Sequence, residues 1–496
     1  MKNSNTIFAL LVSGLLMSCE SSPEVQFSSQ VKEEYRPAYH FSPMTGWMND
    51  PNGLVYLDGE YHLFYQYYPD STVWGPMHWG HAVSANLTHW EHLSTALYPD
   101  SLGYIFSGSA VYDAENSSGL GTADSPPLVA IFTHHDPKGA ESGSSTFQHQ
   151  SLAYSTDQGR TWSKYVGNPV LKNPGIRDFR DPKVSQISNE DGSKIWVMTL
   201  AVWDHIRFYT SPDLKEWTLS GEFGKNIGAH GGVWECPDLL PFQTPSGEEK
   251  WVLLVSINPG GPQKGSATQY FIGDFKDGQF IPDDSMIRWI DYGPDNYAGV
   301  TWSNLPADQN RTLFIGWMSN WIYGNVVPTK AWRSAMTTPR ELSLFDVSGT
   351  LLLKSAPAKE LEKLRAQAYP INGSSSDLPS EAVEILSELD GSDQFSISIS
   401  NEEGDEVLIS KESNLVSIDR RNSGKVDFQQ NFGAMHSAPM SWQAENIRIF
   451  LDASSIELFV NEGELVMTSL VFPNSPYTKI EFDESLKHKK IFNLKK

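Results

Sequence analysis

Three short acidic segments carry the side chains that could do chemistry. They are residues 47–53 (WMNDPNG), 179–182 (FRDP) and 234–238 (WECPD). Asp-Pro and Asn-Gly pairs are typical of turns, so each segment is compatible with a plain turn or strand end. A turn, however, does not need a bulky Trp and Met immediately before it. An aromatic ring, an amide and a carboxylate together supply what a sugar pocket uses: a stacking face, a donor–acceptor pair and an anion.

The three carboxyl groups are those of Asp50, Asp181 and Glu235, and they fit cleavage of a glycosidic bond. In that reaction an ionised carboxylate attacks the anomeric carbon, and a protonated carboxyl group delivers a proton to the leaving oxygen. Arg180, directly before Asp181, can keep neighbouring carboxylates ionised. The aromatic and thiol neighbours of Glu235 predict a partly apolar wall, which suits a general acid. Cys236 itself is expected to be a small buried hydrophobe and not a reactive thiol.

Strands must position these groups, because residues 37–345 show a strand–turn–strand pattern that no long helical periodicity interrupts. Residues 54–57 and 61–67 flank Asp58-Gly59, which is the signature of a hairpin. Further apolar strands are predicted at 195–201, 251–257 and 311–318.

A weak internal repeat predicts how the strands are grouped. Residues 84–90 (SANLTHW) match 211–217 (SPDLKEW), and 155–162 (STDQGRTW) is a near relative. In each, Ser with Asn or Asp can close a side-chain turn that the Trp pins to a core. The starting positions 84, 155 and 211 differ by 71 and 56 residues, which suggests one four-stranded blade per repeat. Residues 37–345 are therefore predicted to form a five-bladed β-propeller, on whose axis acids from separate blades can converge.

The remainder of the chain predicts a second β domain. Residues 346–370 are assigned to a linker, in which 355–367 (SAPAKELEKLRAQ) is the clearest helical stretch. Over residues 371–496, apolar and polar positions alternate, as in 395–399 (FSISI) and 447–452 (IRIFLD). This alternation indicates strands with one buried and one solvated face, which fits a β-sandwich. The predicted fold class is thus all-β, a five-bladed β-propeller followed by a C-terminal β-sandwich.

The N-terminal residues are expected to direct export. A basic start precedes a short apolar run, residues 7–17, which is too short to span a bilayer. Its end, 16–19 (LMSC), resembles a bacterial lipoprotein box, so residues 1–18 are assigned to a signal peptide and Cys19 to lipid attachment. An ordinary signal peptide with an incidental cysteine is the alternative. Residues 19–36 are expected to be a flexible tether, and the protein a membrane-anchored exported lipoprotein, periplasmic or on the cell surface.

Charge and cysteine content argue against several classes of protein. The formal net charge of −23 repels phosphate backbones, so nucleic acid is not expected as a partner. Besides Cys19 the chain has only Cys236, so no intramolecular disulfide is expected. No Cys and His residues have the spacing of a zinc site, and neither a metal nor another cofactor is expected.

Further segments, in order along the chain, complete a resemblance to glycoside hydrolase family 32, the β-fructofuranosidase, levanase and inulinase family. The resemblance covers about residues 39–492 and includes the three acidic segments. Its other motifs are 62–67 (HLFYQY), 79–84 (WGHAVS), 106–110 (FSGSA), 291–293 (DYG), 297–298 (YA), 332–333 (WR), 339–342 (PREL) and 451–457 (LDASSIE). Each motif alone is weak, but their joint occurrence is not a chance result.

The resemblance implies a fold, a reaction and a set of site residues. The family fold is a five-bladed propeller followed by a β-sandwich. Asp50 matches the family's nucleophile, Glu235 its acid/base, and Asp181 the acid that stabilises the transition state. The implied reaction releases terminal β-D-fructose from a fructan (levan or inulin), and from sucrose, by a retaining mechanism through a covalent fructosyl-enzyme. The residues matching the family's pocket for that fructose are Trp47, Asn49, Gln66, Trp74, Phe106, Ser107 and Arg180.

Other functions remain to be weighed. A fructosyltransferase would use the same intermediate with a sugar acceptor, although the intact WMND segment favours water. A glycan-binding surface lipoprotein without catalysis would be expected to lack at least one of the three acids. A sialidase is also a propeller, but its chemistry requires a Tyr nucleophile and an Arg cluster. Residues 138–146, rich in Gly and Ser, are either a selectivity loop at the pocket rim or a plain spacer.

Overall fold

The computed structural model describes residues 33–188 and 191–495, which are built mainly of β-strands. The predicted signal peptide, the lipid-bearing Cys19 and most of the predicted tether lie outside the described residues. At its end the tether differs from the prediction, because Tyr35 is buried and its hydroxyl donates to the Pro473 carbonyl at 3.0 Å. Within the described ranges, no helix combines the length and the apolar composition that crossing a bilayer requires.

Four antiparallel sheets follow one another along the first part of the chain. Sheet 1 contains β1 (Gly46–Leu57), β2 (Glu60–Tyr68), β3 (His78–Ser84) and β4 (Glu91–Leu97). Sheet 2 contains β5 (Tyr104–Tyr112), β6 (Leu128–His135), β7 (Gln148–Ser155) and β8 (Ser163–Lys164), with the short helix α1 (Pro137–Glu141) after β6. Sheet 3 contains β9 (Phe179–Ser188), β10 (Lys194–Val202), β11 (His205–Ser211) and β12 (Thr218–Phe223). Sheet 4 contains β13 (Val233–Gln243), β14 (Glu249–Asn258), β15 (Ala267–Lys276), β16 (Gln279–Pro282) and β17 (Arg288–Trp289).

A fifth sheet completes the first domain. This part of the chain contains β18 (Tyr297–Thr301), β19 (Thr312–Met318), β20 (Trp332–Arg333), β21 (Ala335–Met336), β22 (Arg340–Val347) and β23 (Thr350–Pro357), with a 3₁₀ turn at Ala307–Gln309. All of these strands except β20 belong to the fifth sheet. Strand β20 pairs with β1 of sheet 1 in parallel. The first strand of each sheet contacts the first strand of the next, and β18 contacts β1. The five sheets are therefore the five blades of the predicted propeller, with β1, β5, β9, β13 and β18 as its inner strands.

The repeated sequence segment forms the same kind of turn in three blades. In sheet 1, the Asn86 side chain accepts hydrogen bonds from two backbone N–H groups, and the Trp90 indole donates to the Leu87 carbonyl at 3.1 Å. Residues 211–217 repeat these bonds, and 155–162 form a turn that is one residue longer. Each turn joins the third strand of its blade to the fourth, as one blade per repeat requires.

The second domain is a sandwich of two six-stranded sheets. Its strands are β24 (Arg365–Pro370), β25 (Ser375–Asp377), β26 (Val383–Leu389), β27 (Phe395–Ser400), β28 (Glu406–Glu412), β29 (Leu415–Asn422), β30 (Met435–Pro439), β31 (Asn446–Asp452), β32 (Ser455–Val460), β33 (Leu465–Leu470), β34 (Lys479–Phe482) and β35 (Leu486–Leu494). One sheet has the order β24-β35-β26-β31-β32-β33, and the other β25-β34-β27-β28-β29-β30. The two sheets pack face to face on a shared core. Strand β27 is an example, because its isoleucines are buried in that core and its serines are not.

The boundary between the two domains differs from the prediction. Strands β22 and β23 pair across Ser348-Gly349, where both residues have positive φ (54° and 87°), as tight hairpin turns require. Sheet 5 therefore extends to Pro357, well inside the predicted linker, and the sandwich begins at Arg365. The residues between them form a short 3₁₀ helix, Lys359–Leu364, in place of the longer predicted helical stretch.

Candidate active site

The inner strand of every blade carries a β-bulge near its start. At each bulge two residues stand opposite a single residue of the neighbouring strand. The bulged pairs are 49–50 on β1, 106–107 on β5, 181–182 on β9, 236–237 on β13 and 298–299 on β18. A bulge interrupts the alternation of side chains and can re-aim them, so it can direct functional residues to the propeller axis.

The bulges also explain the prolines of the acidic segments. Strands β9 and β13 continue past Pro182 and Pro237. Proline has no N–H to donate, but a residue in a bulge does not need to donate a ladder hydrogen bond, so the strand is not interrupted. The residue before each proline, Asp181 or Cys236, has a positive φ of 64° or 44°. Backbone strain of this kind costs on the order of 1–3 kcal/mol and persists only where the surrounding structure maintains it. These segments are therefore bulged stretches that belong to strands and do not stop them.

Asp50 receives hydrogen bonds on both carboxylate oxygens. Asn49 Nδ2 donates to Oδ1 at 2.9 Å, and the Ser107 hydroxyl donates to Oδ2 at 2.7 Å. The Cys236 thiol also lies 3.6 Å from Oδ2. Asn49 is oriented in turn by Trp47, whose indole N–H donates to Asn49 Oδ1 at 2.7 Å. The carboxylate is thus fixed from two blades and from the neighbouring residue in its own strand.

Cys236 connects two of the acids. Its thiol lies 3.6 Å from both Asp50 Oδ2 and Asp181 Oδ2, and its backbone N–H donates to Asp181 Oδ2 at 3.1 Å. On the other side, the backbone N–H of Asp181 donates to the Thr133 hydroxyl at 3.0 Å. Burial raises the pKa of the Cys236 thiol well above its usual value, and the nearby carboxylates add to the effect. The neutral thiol is therefore a hydrogen-bond donor and not a nucleophile.

Glu235 is held between Arg180 and Tyr297. Arg180 Nε and Nη2 donate to Glu235 Oε1 at 3.1 and 2.8 Å, and the Tyr297 hydroxyl donates to Oε2. The remaining arm of the guanidinium, Nη1, donates to Asp178 at 2.5 Å. Burial alone would lower the pKa of Arg180, but its three carboxylate neighbours raise it, so the guanidinium stays charged. The Glu235 side chain remains 20% exposed and can meet a substrate.

Four carboxyl groups, those of Asp50, Asp178, Asp181 and Glu235, line the site beside the guanidinium of Arg180. Burial raises the pKa of Asp181 to about 7, with Arg180 opposing this and Glu235 and Asp50 reinforcing it. The pKa of Asp50 is also raised, first by burial and then by Glu235. Like charges this close cannot all be ionised near neutral pH, so the group of carboxyls holds a proton. Glycosidic cleavage needs both an ionised and a protonated carboxyl group.

These side chains open into one cavity of about 430 Å³. Nine of the ten predicted site residues line it: Asn49, Asp50, Gln66, Trp74, Phe106, Ser107, Arg180, Asp181 and Glu235. Trp47 is the exception, because it is fully buried and stacks on Trp321 with ring centroids 5.8 Å apart. Trp47 therefore supports Asn49 and is not a wall of the cavity.

Sequence reasoning missed seven residues of the lining. They are His135, Phe147, Gln148, Arg177, Asp178, Trp321 and Asn325. His135 stacks on Phe106 with centroids 4.2 Å apart, and burial lowers its pKa to about 4, so the ring is neutral. Asp178 could have been found, because it directly precedes the 179–182 segment. The presence of Ala140 in the lining places part of the Gly- and Ser-rich stretch at the rim of the cavity, and that stretch is not a remote spacer.

Comparisons with known proteins agree with this geometry. The profile for the glycosyl hydrolases family 32 N-terminal domain matches residues 40–355, and the profile for the family 32 C terminal matches residues 352–495. The levanase of Bacillus subtilis (strain 168) is 44% identical over 498 residues, spanning 94% of this chain and 71% of the levanase. The extracellular exo-inulinase of Aspergillus awamori is 36% identical over 91% of this chain and 92% of its own length.

Two solved structures show the same fold over nearly the whole chain. The crystal structure of exo-inulinase from Aspergillus awamori has a TM-score of 0.84 at 33% identity and covers 93% of this chain and 99% of its own. The structure of β-fructofuranosidase from Schwanniomyces occidentalis complexed with fructosyl-erythritol has a TM-score of 0.82 at 32% identity, covering 94% and 98%. The chain therefore belongs to glycosyl hydrolase family 32 and is a glycosidase.

Proposed function

We propose that this glycosidase hydrolyses fructans, releasing terminal β-D-fructose from levan or inulin, and from sucrose, with retention of configuration. The observation that carries the proposal is the convergence of Asp50, Asp181 and Glu235, from three different blades, on one cavity. Relatives named levanase and exo-inulinase support a fructan as the substrate class.

In the first step, Asp50 attacks the anomeric carbon of the terminal fructosyl unit. Asn49 and Ser107 hold the Asp50 carboxylate for this attack. Glu235 gives its proton to the glycosidic oxygen as the bond from that oxygen to the anomeric carbon breaks. The rest of the substrate leaves as an alcohol, and the fructosyl unit remains as an ester on Asp50.

In the second step, Glu235 acts as a base. It takes a proton from a water molecule, whose oxygen attacks the anomeric carbon and displaces Asp50. In this ionised state, Arg180 and Tyr297 orient Glu235 through donors to both carboxylate oxygens. Asp181 accepts hydrogen bonds from fructose hydroxyl groups, and these bonds strengthen as positive charge develops on the ring.

Substitution of the two reacting acids tests the mechanism. Asp50→Ala should abolish fructose release, and Glu235→Ala should slow it by about 10²–10⁴-fold, the usual worth of a general acid. Both variants should unfold at temperatures near that of the wild type. Acid quenching of the wild type during turnover should also trap one fructosyl unit on the peptide that contains Asp50. Release at the wild-type rate by either variant would overturn the proposed roles.

Product analysis on levan and inulin decides the mode of attack. We propose exo-action, because the matched pocket residues describe a site for one terminal sugar, and fructose should then be the sole early product. A ladder of oligosaccharides would show endo-action instead. Transfer products at high sucrose concentration would identify a fructosyltransferase that uses the same intermediate.

We also propose that the protein is exported and carries lipid on Cys19. Support comes from the sequence of residues 1–19 and from relatives named extracellular exo-inulinase. Cells producing the protein should incorporate labelled fatty acid into it, and Cys19→Ala should abolish that incorporation. Equal labelling of the variant would contradict the proposal.

A further inference from the structure

The rim of the cavity is formed largely by the connections between the second and third strands of the blades. Blades 1, 2 and 5 place lining residues there: Trp74 in blade 1, Ala140 and Phe147 in blade 2, and Trp321 and Asn325 in blade 5. In blade 3 the same connection is only Trp203-Asp204, between β10 and β11. The connection in blade 3 is therefore the shortest of the five, and it begins with a tryptophan.

The side chain of Trp203 is exposed, and its backbone is hydrogen-bonded to residues at the cavity. Of the 16 tryptophans, only Trp74 and Trp203 are exposed, at 39% and 47%. The backbone N–H of Trp203 donates to the carbonyl of Asp178, a cavity residue, at 2.8 Å. The Trp203 carbonyl accepts from the N–H of Trp234, next to Glu235, at 2.7 Å. Two hydrogen bonds thus fix this backbone to the wall that holds Glu235.

The turn geometry does not account for a tryptophan at this position. Trp203 is the first residue of a two-residue hairpin turn and has a φ of 60°. Turns with positive φ at that residue normally use glycine, and a bulky residue there is an outlier. Across the part of the chain that the structure describes, its ring stacks on no other aromatic ring and its indole N–H has no acceptor. Strained, exposed residues of this kind cluster at ligand-binding sites.

We propose that Trp203 is a stacking platform for the fructan units that follow the terminal sugar. The inference rests on the proposed function. With the terminal fructose between the three acids, the chain leaves the cavity over the short connection of blade 3 and crosses Trp203. The C–H face of a fructosyl ring then packs on the indole, and its hydroxyl groups stay in water. Trp74 lines the cavity itself, whereas Trp203 acts outside it on the leaving part of the substrate.

The glycine variant gives a clean test because glycine suits the backbone of this turn. Trp203→Gly removes the ring and relieves the positive φ, so the thermal midpoint should be unchanged or higher. The ratio of KM for a fructan tetrasaccharide to KM for sucrose should rise about fivefold. A change of that size corresponds to the free energy of one aromatic stacking contact. Trp203→Phe, which keeps a ring, should restore most of the affinity.

A matched control is Leu219→Ala. Leu219 lies on the outer strand of the same blade and is also 47% exposed, and its loss should leave the KM ratio unchanged. An unchanged ratio in Trp203→Gly would overturn the inference while leaving the proposed function intact. Native gels containing levan or inulin test binding independently of turnover. There, Trp203→Gly should reduce the retardation of Asp50→Ala, and equal migration of the single and double variants would also overturn the inference.

Discussion

At the scale of residues, Asp50 and Glu235, the two acids proposed to react, have separate sets of hydrogen-bond donors. Asp50 is held by Asn49, Ser107 and the Cys236 thiol, all of which favour its ionised form. Burial acts in the opposite direction and raises the pKa of Asp50, so its ionised form depends on these donors. The same burial strengthens every hydrogen bond in the site, because little water competes for the acceptors.

Removing one donor from Asp50 should change the pH dependence of the enzyme. In the proposed mechanism Asp50 must be ionised to attack, so activity should fall as the pH drops through its pKa. Since the Ser107 hydroxyl lowers that pKa, Ser107→Ala should move the acid limb of kcat/KM upward by about one pH unit, the worth of a hydrogen bond to a charged group. Ser107→Thr, which keeps a hydroxyl, is the control. An acid limb at the wild-type pH in Ser107→Ala would contradict this account of Asp50.

At the scale of elements, the bulged inner strands and the turns between the outer strands have different roles. The bulges interrupt the regular alternation near the axis, where side chains must be aimed. The Ser-Asx-Trp turns close the outer hairpins through local hydrogen bonds, as in 84–90 and 211–217. The rigid periphery allows strained residues such as Asp181 and Cys236 to persist at the axis.

The turn of blade 3 offers a graded test of this local stabilisation. Asp213 Oδ1 accepts from the N–H groups of Lys215 and Glu216 at 3.0 and 2.9 Å. Asp213→Ala should lower the free energy of unfolding by about 1 kcal/mol, as the loss of a helix cap does. Asp213→Asn should change it by less than about 0.5 kcal/mol, because blade 1 already uses Asn86 at the equivalent position. Chemical denaturation measures both, and equal losses would show that the carboxylate charge is what matters.

At the scale of the whole molecule, a buried chain of charges joins the propeller to the sandwich. His40 contacts Asp452 and Glu457 of the sandwich, each at 2.8 Å. Arg340 of blade 5 pairs with the same Glu457 at 2.6 Å and with Asp291 at 2.9 Å. Breaking such a network leaves an unpaired charge in a dry interior, which is more costly than losing an exposed ion pair.

This network should make stability depend on pH in the neutral to alkaline range. Burial lowers the pKa of His40, but its bonds to Asp452 and Glu457 outweigh burial and raise the pKa to about 9. The stabilisation is therefore complete below the unfolded value near 6.5 and is lost as the pH rises through 9. At pH 6, His40→Gln should lower the free energy of unfolding by about 3 kcal/mol.

The difference in stability between wild type and His40→Gln should therefore shrink as the pH approaches and passes 9. Urea denaturation at several pH values measures this difference directly. A difference that stays constant from pH 6 to pH 9.5 would show that His40 is not charged in the folded protein.

Features set by neighbouring residues could be predicted from the sequence alone. The alternation of buried and solvated residues in 395–399 indicated a sandwich strand, and the spacing of 84–90, 155–162 and 211–217 indicated blades. The three acidic segments stood out for the same reason, because each concentrates its chemistry in a few adjacent residues. The helix predicted at 355–367 was largely wrong, because its first residues pair with β22 in a sheet, a contact that composition does not reveal.

Only the tertiary structure decided how the acids meet. The shifts of strand register that aim Asp50 and Asp181 depend on partner strands, so no periodicity in a single segment reports them. The same holds for the burial of Trp47 and for the position of Cys236 between two carboxylates. Trp203 is a further case, because its exposed fraction and its hydrogen bonds to Asp178 and Trp234 depend on the fold and not on its neighbours in the sequence. Residue types and order along the chain are local properties, whereas distances between blades are set by packing across the whole propeller.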